Sequence, residues 1–516
     1  MKENWLPHLD NSLPNSVSAD KISMYSIALE GWRRGLPLKF YVVKYGSRRE
    51  INYSFEYEGK EYKFAVSKGD DVTKEAMRIA KNKYLTKEFL SEKNVAVPEG
   101  NKFDNNVKDE TILDYADKIG YPVVLKPANA NLGVGVIPNI EDRLELTDAL
   151  HQVRHVQGFN EVIVEKHIEG EEVRIYVIDD KVIAAMKRIP AYIIGDGKHN
   201  IRQLIRIKNA ERRKNPNYKG RNIKIDRELR RNIEKEGFNL ESVLENGKQL
   251  FLRDNSNISS GGESIDVTDE LTKEMKQLAI DATRAIPGLA QSGVDVIINK
   301  SKNTGAVIEI NTRPGIGGHL YPSKGKARDI PKEIIDYYFP NTERIDFSSN
   351  FYFDYTSVKD ALNSGLAEEI IVPTLPSDDI TIETIEVKGN LSSLALKKWI
   401  QRRALSNNLY GFIEPVDEET GKIVVAGLEK DIELFINILI SEKDLSTRKL
   451  KVEWKEPIKI GFEIKKAPTE KDVKQSPVII NSSEPNKKNL TFKQKMYKQF
   501  GQTAVWKMYK RIKGDV

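Results

Sequence analysis

Apolar and polar positions alternate through Ile51–Tyr57 and again through Tyr62–Val66, on either side of Glu58-Gly59-Lys60, which predicts a β-hairpin. A helix-like stretch near Asp20–Trp32 precedes it. From Thr73 to Lys93 the period lengthens, and Ala76, Ile79, Ala80 and Leu85 fall on one face of a predicted helix that leads into Val95-Ala96-Val97-Pro98. Tyr121–Pro127 reads as a short buried strand carrying one lysine, and Glu161–Val177 as two strands flanking a turn at Gly170. Gly293–Ile298 and Val307–Ile310 are two further β-rich apolar runs. Near the end, Thr381–Val387, Leu391–Ala404, Gly411–Ile413, Lys422–Ala426 and Glu429–Ile440 predict strand, helix, two strands and helix, the order of a split βαβ, ferredoxin-like module. Leu490–Lys513 is a basic helical stretch with Phe492, Met496 and Phe500 at helical spacing.

Chemistry enters at the strand ends. The two apolar runs deliver Asp295, Glu309 and Asn311, three hard oxygen donors, immediately before the turn residues Pro314-Gly315. Such donors suit a magnesium ion beside nucleotide phosphates. Taken alone, a carboxylate and an amide at a strand end are ordinary solvated groups. Lys126, however, sits on a buried strand, where a lysine is rare unless its charge is used. After it, Gly133 and Gly135 let the backbone bend and turn its N–H groups toward phosphate oxygens, with Lys126 as a point charge. The loop fits neither the P-loop pattern nor the dinucleotide fingerprint.

With these residues in view, the stretch from about Lys81 to Pro340 resembles the ATP-grasp superfamily of carboxylate–amine ligases. It is most similar to the ATP-grasp part of cyanophycin synthetases and bifunctional glutathione synthetases. Gly195-Asp196-Gly197-Lys198-His199, Ser260-Gly261-Gly262, Ile265–Glu270 and His319–Ser323 carry the likeness. The resemblance implies an α+β architecture, the ATP-grasp fold, with two α+β subdomains clamping ATP. It assigns Lys83 to the α-phosphate side of ATP, Glu165, Lys166 and the backbone to Ile168 to the adenine, and Glu172 to the ribose. Lys187 and Arg188 would face the phosphates or an acyl-phosphate, and Arg253 would stabilise the acyl-phosphate transition state together with Lys126. Ser259, Ser260, Gly261 and Gly262 are expected to form a flexible loop over the carboxyl substrate. Arg313 and His319 are further substrate candidates, although a lone histidine after a turn is as often structural. The implied reaction activates a carboxylate as an acyl-phosphate, releases ADP, and lets an amine displace phosphate to leave an amide. The implied cofactors are ATP and Mg²⁺, with Mn²⁺ as an alternative. Leu320 follows the histidine where the D-alanine–D-alanine ligase branch has a serine, which argues against a cell-wall D-dipeptide product. No P-loop of the kind that ends cyanophycin synthetases is found, so cyanophycin synthesis by this chain alone is not expected.

The segment 380–465 also resembles an acylphosphatase domain through the spacing from Gly389 to Ala404. Lys397 stands where that family has its catalytic arginine, Ser393 and Ala395 where it has cradle glycines, and Pro415 where it has its asparagine. Lysine cannot make the planar bidentate contact of arginine, and proline offers no N–H. The module is therefore expected to lack hydrolase activity.

Composition bounds the rest. A chain of 516 residues, 39% hydrophobic and 31% charged, is expected to hold two to four domains. The pattern divides it at 1–75 (lead-in module), 76–345 (ATP-grasp), 346–379 (linker), 380–465 (acylphosphatase-like) and 466–516 (linker and basic tail). With no cysteine, disulfides and thiolate metal sites are excluded. Met1–Trp5 lacks an apolar signal core and no run is long enough to span a bilayer, so a soluble cytoplasmic protein is expected. A net charge of +6 is modest for this length, and no nucleic-acid partner is expected. The basic run at 200–232 is either a solvated face or a field that steers an anionic substrate or polymer. The tail would pack on the body or bind a partner protein or an anionic membrane surface, and a homo-oligomer is left open. Three functions follow: a ligase joining amino acids into a small amide, a ligase extending a peptide, protein or polymer end, and a nucleotide-binding scaffold without catalysis.

Overall fold

The computed structural model describes residues 5–14, 16–128, 134–375, 380–443, 445–452 and 454–466. Gly133 and the basic tail lie outside them. Among the described residues, no helix is long and apolar enough to cross a membrane.

Helix Ile22–Arg33 is buried along its whole length because it packs against a four-stranded sheet on one side and helix Ile330–Tyr338 on the other. The hairpin is present as Arg48–Tyr57 and Lys60–Phe64, with Tyr53 opposite Phe64. Leu38–Tyr45 pairs on its other side, and the sheet is finished by Glu369–Val372, with Leu38 opposite Val372. Residues 346–379, expected as a linker, thus carry a helix, Tyr355–Ser364, and an edge strand of the N-terminal sheet. The buried apolar positions Leu38 and Phe40 would otherwise end on unpaired backbone, and the returning strand satisfies it. Arg33, fully buried, reinforces the return by donating to the carbonyls of Ser349 and Phe351 at 3.0 and 2.8 Å.

The predicted helix over 73–93 is two helices, Lys74–Lys81 and Lys83–Glu92. Asn82 breaks it: its backbone is extended, and its side chain caps the second helix by accepting from the N–H groups of Tyr84 and Leu85. A small antiparallel sheet follows in the order Gly100–Phe103, Val162–Lys166, Val123–Pro127, Ile137–Ile140, packed against helices Asp109–Ile119 and Arg143–Leu150. A larger antiparallel sheet has the order Glu263–Asp266, Lys181–Ile189, Glu171–Ile178, Gln291–Asn299, Thr304–Asn311. The two strands read from 161–177 therefore belong to different sheets, and the segment between them joins two subdomains. Between the larger sheet and the N-terminal sheet runs one continuous apolar core that includes Tyr25, Phe55, Tyr176, Ile316 and Phe339, while the small sheet has a core of its own.

The last module has the strand order Ser446–Leu450, Thr381–Lys388, Thr420–Gly427, Tyr410–Pro415, with helices Leu394–Ser406 and Glu429–Lys443, which is the split βαβ arrangement. Phe462–Ile464 adds a fifth, parallel edge strand. This topology serves many activities and fixes the fold alone. Its first helix starts at Leu394, three residues later than predicted, because Ser393 caps it. The preceding loop is closed from within. The N–H groups of Leu391 and Ser392 donate to the Glu418 carbonyl at 2.8 and 3.2 Å, and that of Gly389 to the Glu419 carbonyl at 2.8 Å.

Candidate functional site

Strand alternation sorts the larger sheet into two faces. On one of them Asp295 lies in register with Glu309 on one neighbouring strand and with Arg174 on the other. Arg174 donates to both Asp295 carboxylate oxygens, at 2.7 and 2.6 Å, and the Asn311 amide approaches Asp295 at 3.4 Å. Arg188 lies 3.8 Å from Asp295 and is ion-paired with Glu172. Asp295 is only 2% exposed. Burial alone would weaken the Arg174 charge, but Asp295 more than offsets it and holds the guanidinium above its ordinary pKa.

The small sheet supplies the opposing wall. Lys126 and Glu165 stand on adjacent strands and pair at 2.5 Å, with Lys87 reaching the other Glu165 oxygen at 3.4 Å. A crevice lined by Lys83, Lys87, Lys126, Glu165, Ile308 and Glu309 brings the two sheets and helix Lys83–Glu92 together. Burial lowers the Lys87 pKa, the sign of an ammonium taken partly out of water. Lys166 turns aside and donates to the carbonyls of Gly120 and Tyr121, both at 3.0 Å, while Ile168 lies half-buried in the segment between the sheets. Gly135 has φ +73°, and a Cβ there would stand 2.7 Å from Pro127.

Two residues, one of this crevice and one of the Asp295 cluster, escaped the sequence reading. Lys87 is one helical turn from Lys83, a spacing that puts both on one face and could have revealed it. Arg174 shares a strand face with Glu172, but a strand arginine carries no signal until its partner across the sheet is known.

Other candidates lie apart from this cluster. Arg253, 4% exposed, donates to Asp226 at 2.6 Å, Glu228 at 2.5 Å and the carbonyls of Ser260 and Lys224, so it ties the 224–228 segment to the turn at 260. The flexible loop expected at Ser260-Gly261-Gly262 is instead a packed turn. Both glycines are buried, and Gly261, at φ +113°, lies so close to Ile223 that a Cβ would stand 2.6 Å from it. The Ser260 hydroxyl donates to Asn255 and to the Asn257 carbonyl. Arg313 faces Glu50 of the N-terminal sheet at 3.9 Å. His319 is fully buried beside the Tyr176 ring, and neither ring nitrogen has a partner among the described residues. Burial pushes its pKa down to about 3, with Arg174 adding to the effect. The basic run is not uniformly solvated: Arg212 is buried over the Tyr218 ring, and Lys208 pairs with Glu263 at 2.8 Å.

Residues 93–199 match the family model described as D-ala D-ala ligase C-terminus, and residues 242–317 match that of the ATP-grasp domain. A cyanophycin synthetase of Crocosphaera subtropica is 34% identical over 272 residues, covering 51% of this chain and 31% of that protein. A glutathione biosynthesis bifunctional protein of Clostridium perfringens is 33% identical over 271 residues, covering 51% of this chain and 34% of that protein. The chain thus spans about a third of the length of these curated relatives. Among solved structures, a bifunctional glutathione synthetase from Pasteurella multocida is 28% identical, with a TM-score of 0.45 over 56% of this chain and 40% of that one.

Proposed function

From the ATP-grasp domain that this chain carries, we propose that the protein is an ATP-dependent carboxylate–amine ligase that joins amino-acid substrates through an acyl-phosphate. The observation that carries this reading is the shared crevice, in which Lys126 and Glu165 of one sheet face Glu309 of the other. Nucleotide phosphates need cations on one side and metal-holding oxygens on the other, and this arrangement supplies both. Glu309 and Asn311 offer a carboxylate and an amide oxygen, and Asp295 adds a second carboxylate once its pair with Arg174 opens, a donor set that fits Mg²⁺, or Mn²⁺ in its place. A bound ion would neutralise charge on the β- and γ-phosphates.

The roles of the chain's own residues follow. Lys83, Lys87 and Lys126 neutralise phosphate charge, with Lys126 exchanging its Glu165 partner for the nucleotide. Glu165, Lys166 and the Ile168 backbone border the adenine, Gly135 lies in the loop over the phosphates, and Glu172 takes the ribose. Arg188 faces the acyl-phosphate as a carboxylate oxygen attacks the γ-phosphorus and ADP leaves. The amine then attacks the acyl carbon and phosphate departs. Positioning and electrostatics supply the catalysis. Arg253 holds the turn at 260 that borders the carboxyl substrate, together with Arg313 and His319.

ADP release with Mg-ATP across the twenty amino acids, singly and in pairs, with mass spectrometry of products, tests the proposal. A mass equal to a condensed pair, absent with Glu309→Gln, is the expected result. Nucleotide binding without turnover on any free amino acid would sink the small-molecule form. The second reading, extension of a peptide or polymer end, would then be tested with peptide acceptors. It is favoured by the exposed cations of the 200–232 segment, such as Arg206 and Arg213.

A further inference from the structure

Behind the larger sheet, on the face turned away from Asp295, lies a cavity of about 200 Å³ between the sheet and helix Lys273–Ala285. Its floor is apolar: Val173 and Ile298 come from the sheet, Met275 from the helix, and Val267 and Leu271 from the segment between. The mouth is charged. Lys300 lies 2.8 Å from Glu270 and 3.3 Å from Glu171, and Glu171 also pairs with Lys187 at 3.0 Å.

We propose that this cavity is a second small-molecule site, selective for an aliphatic α-amino acid, and that its occupancy is felt in the cleft. The apolar floor suits a short alkyl side chain, whose removal from water favours binding. Two carboxylates sharing one ammonium form a complement to a zwitterion. The ligand's ammonium takes the place of Lys300 between Glu171 and Glu270, and Lys300 turns to the ligand's carboxylate, so the charge of the mouth is unchanged. Coupling follows from alternation along two strands. Glu171 and Lys187 pair on the cavity face, and their immediate neighbours Glu172 and Arg188 pair on the cleft face. A ligand that moves the first pair moves the backbone that carries the second. Only this coupling rests on the nucleotide reading of Glu172 and Arg188; the binding itself does not.

Calorimetric titration of the full chain with leucine, isoleucine, valine, lysine and glutamate, without ATP, tests the site at concentrations up to about 10 mM. Leucine, isoleucine or valine should bind at least tenfold more tightly than lysine or glutamate. Leu271→Trp, which fills the cavity, and Lys300→Glu, on an exposed turn, should each weaken that binding at least tenfold, whereas Arg188→Ala should not. Absence of aliphatic binding, or binding that falls with Arg188→Ala and not with the other two, overturns the site. A change of at least threefold in the KM for ATP on adding the ligand, lost in Leu271→Trp, supports the coupling, and an unchanged KM at saturation refutes it. Since binding is read without turnover, a failed ligase assay leaves this result intact.

Discussion

The cleft between the small and the larger sheet and the loop ahead of the first helix in the C-terminal module both bring polar groups to strand ends, yet they satisfy them differently. In the cleft, side chain pairs with side chain: Lys126 with Glu165, Arg174 with Asp295, Arg188 with Glu172. Such pairs can exchange one charged partner for a ligand by rotating a few torsions. In the C-terminal loop the backbone N–H groups of Gly389, Leu391 and Ser392 are bound to backbone carbonyls of 418–419, and freeing them means refolding the loop. Lys397 and Pro415 line a cavity of about 510 Å³ beside the same loop, so space for a ligand is there, but the N–H donors that an anion cradle needs are already taken. A site is recognised less by its residue types than by whether its polar groups can change partners cheaply.

The sharpest way to break this comparison is to substitute on both sides. Glu309→Gln should lower ADP formation at least about a hundredfold, because a charged carboxylate is replaced by a neutral amide that holds a divalent ion poorly. Lys397→Ala should leave it within about twofold. Equal losses would show that the C-terminal module belongs to the catalytic apparatus. Next in size is Arg174→Met, which leaves Asp295 buried without its partner and should cost about 3 kcal/mol in urea unfolding. Adding Asp295→Asn should recover part of that loss, and no recovery would mean that Arg174 acts through packing.

Acid provides a third test. His319 is held neutral well below the ordinary histidine range, so between about pH 6.5 and 3 the unfolded chain takes up a proton that the folded chain refuses. Stability should therefore fall as pH drops through that window, by at most about 2 kcal/mol at pH 5 from this residue. A His319→Gln variant should lose less stability between pH 7.5 and pH 5, and an identical slope would remove His319 from the account. Smallest is Gly135→Ala, where a side chain meets Pro127 at positive φ. It should weaken ADP binding about fivefold, equivalent to ~1 kcal/mol, with an unchanged unfolding midpoint.

Local pattern revealed what local forces decide. The hairpin could be read from alternation between residues 51 and 66, and the neighbouring strands that carry Asp295 and Glu309 from two adjacent apolar runs, because neighbours in sequence are neighbours in the sheet. Residues 369–372 could not, since their partner strand lies far upstream and its apolar pattern does not name who completes it. The Ser-Ser-Gly-Gly run misled for a similar reason. Its composition suggests freedom, whereas Ile223 and Arg253, from elsewhere in the fold, pin it. Asn82 could have been recognised as a cap, but the strong period on either side concealed it.

The strand at 369–372 also sets a timetable. During synthesis the N-terminal hairpin and its buried helix emerge first, yet Leu38 waits for Val372 and Arg33 waits for Ser349 and Phe351. The ribosome must deliver both sheets of the cleft before the first module can close. Until then the nascent chain holds an uncovered apolar sheet with an open edge, the state in which chaperone capture and intermolecular pairing compete with folding. Residues that leave the ribosome some three hundred positions ahead of this strand thus wait for it to complete their native contacts, and a stalled or truncated product ending before residue 372 would carry that open edge permanently.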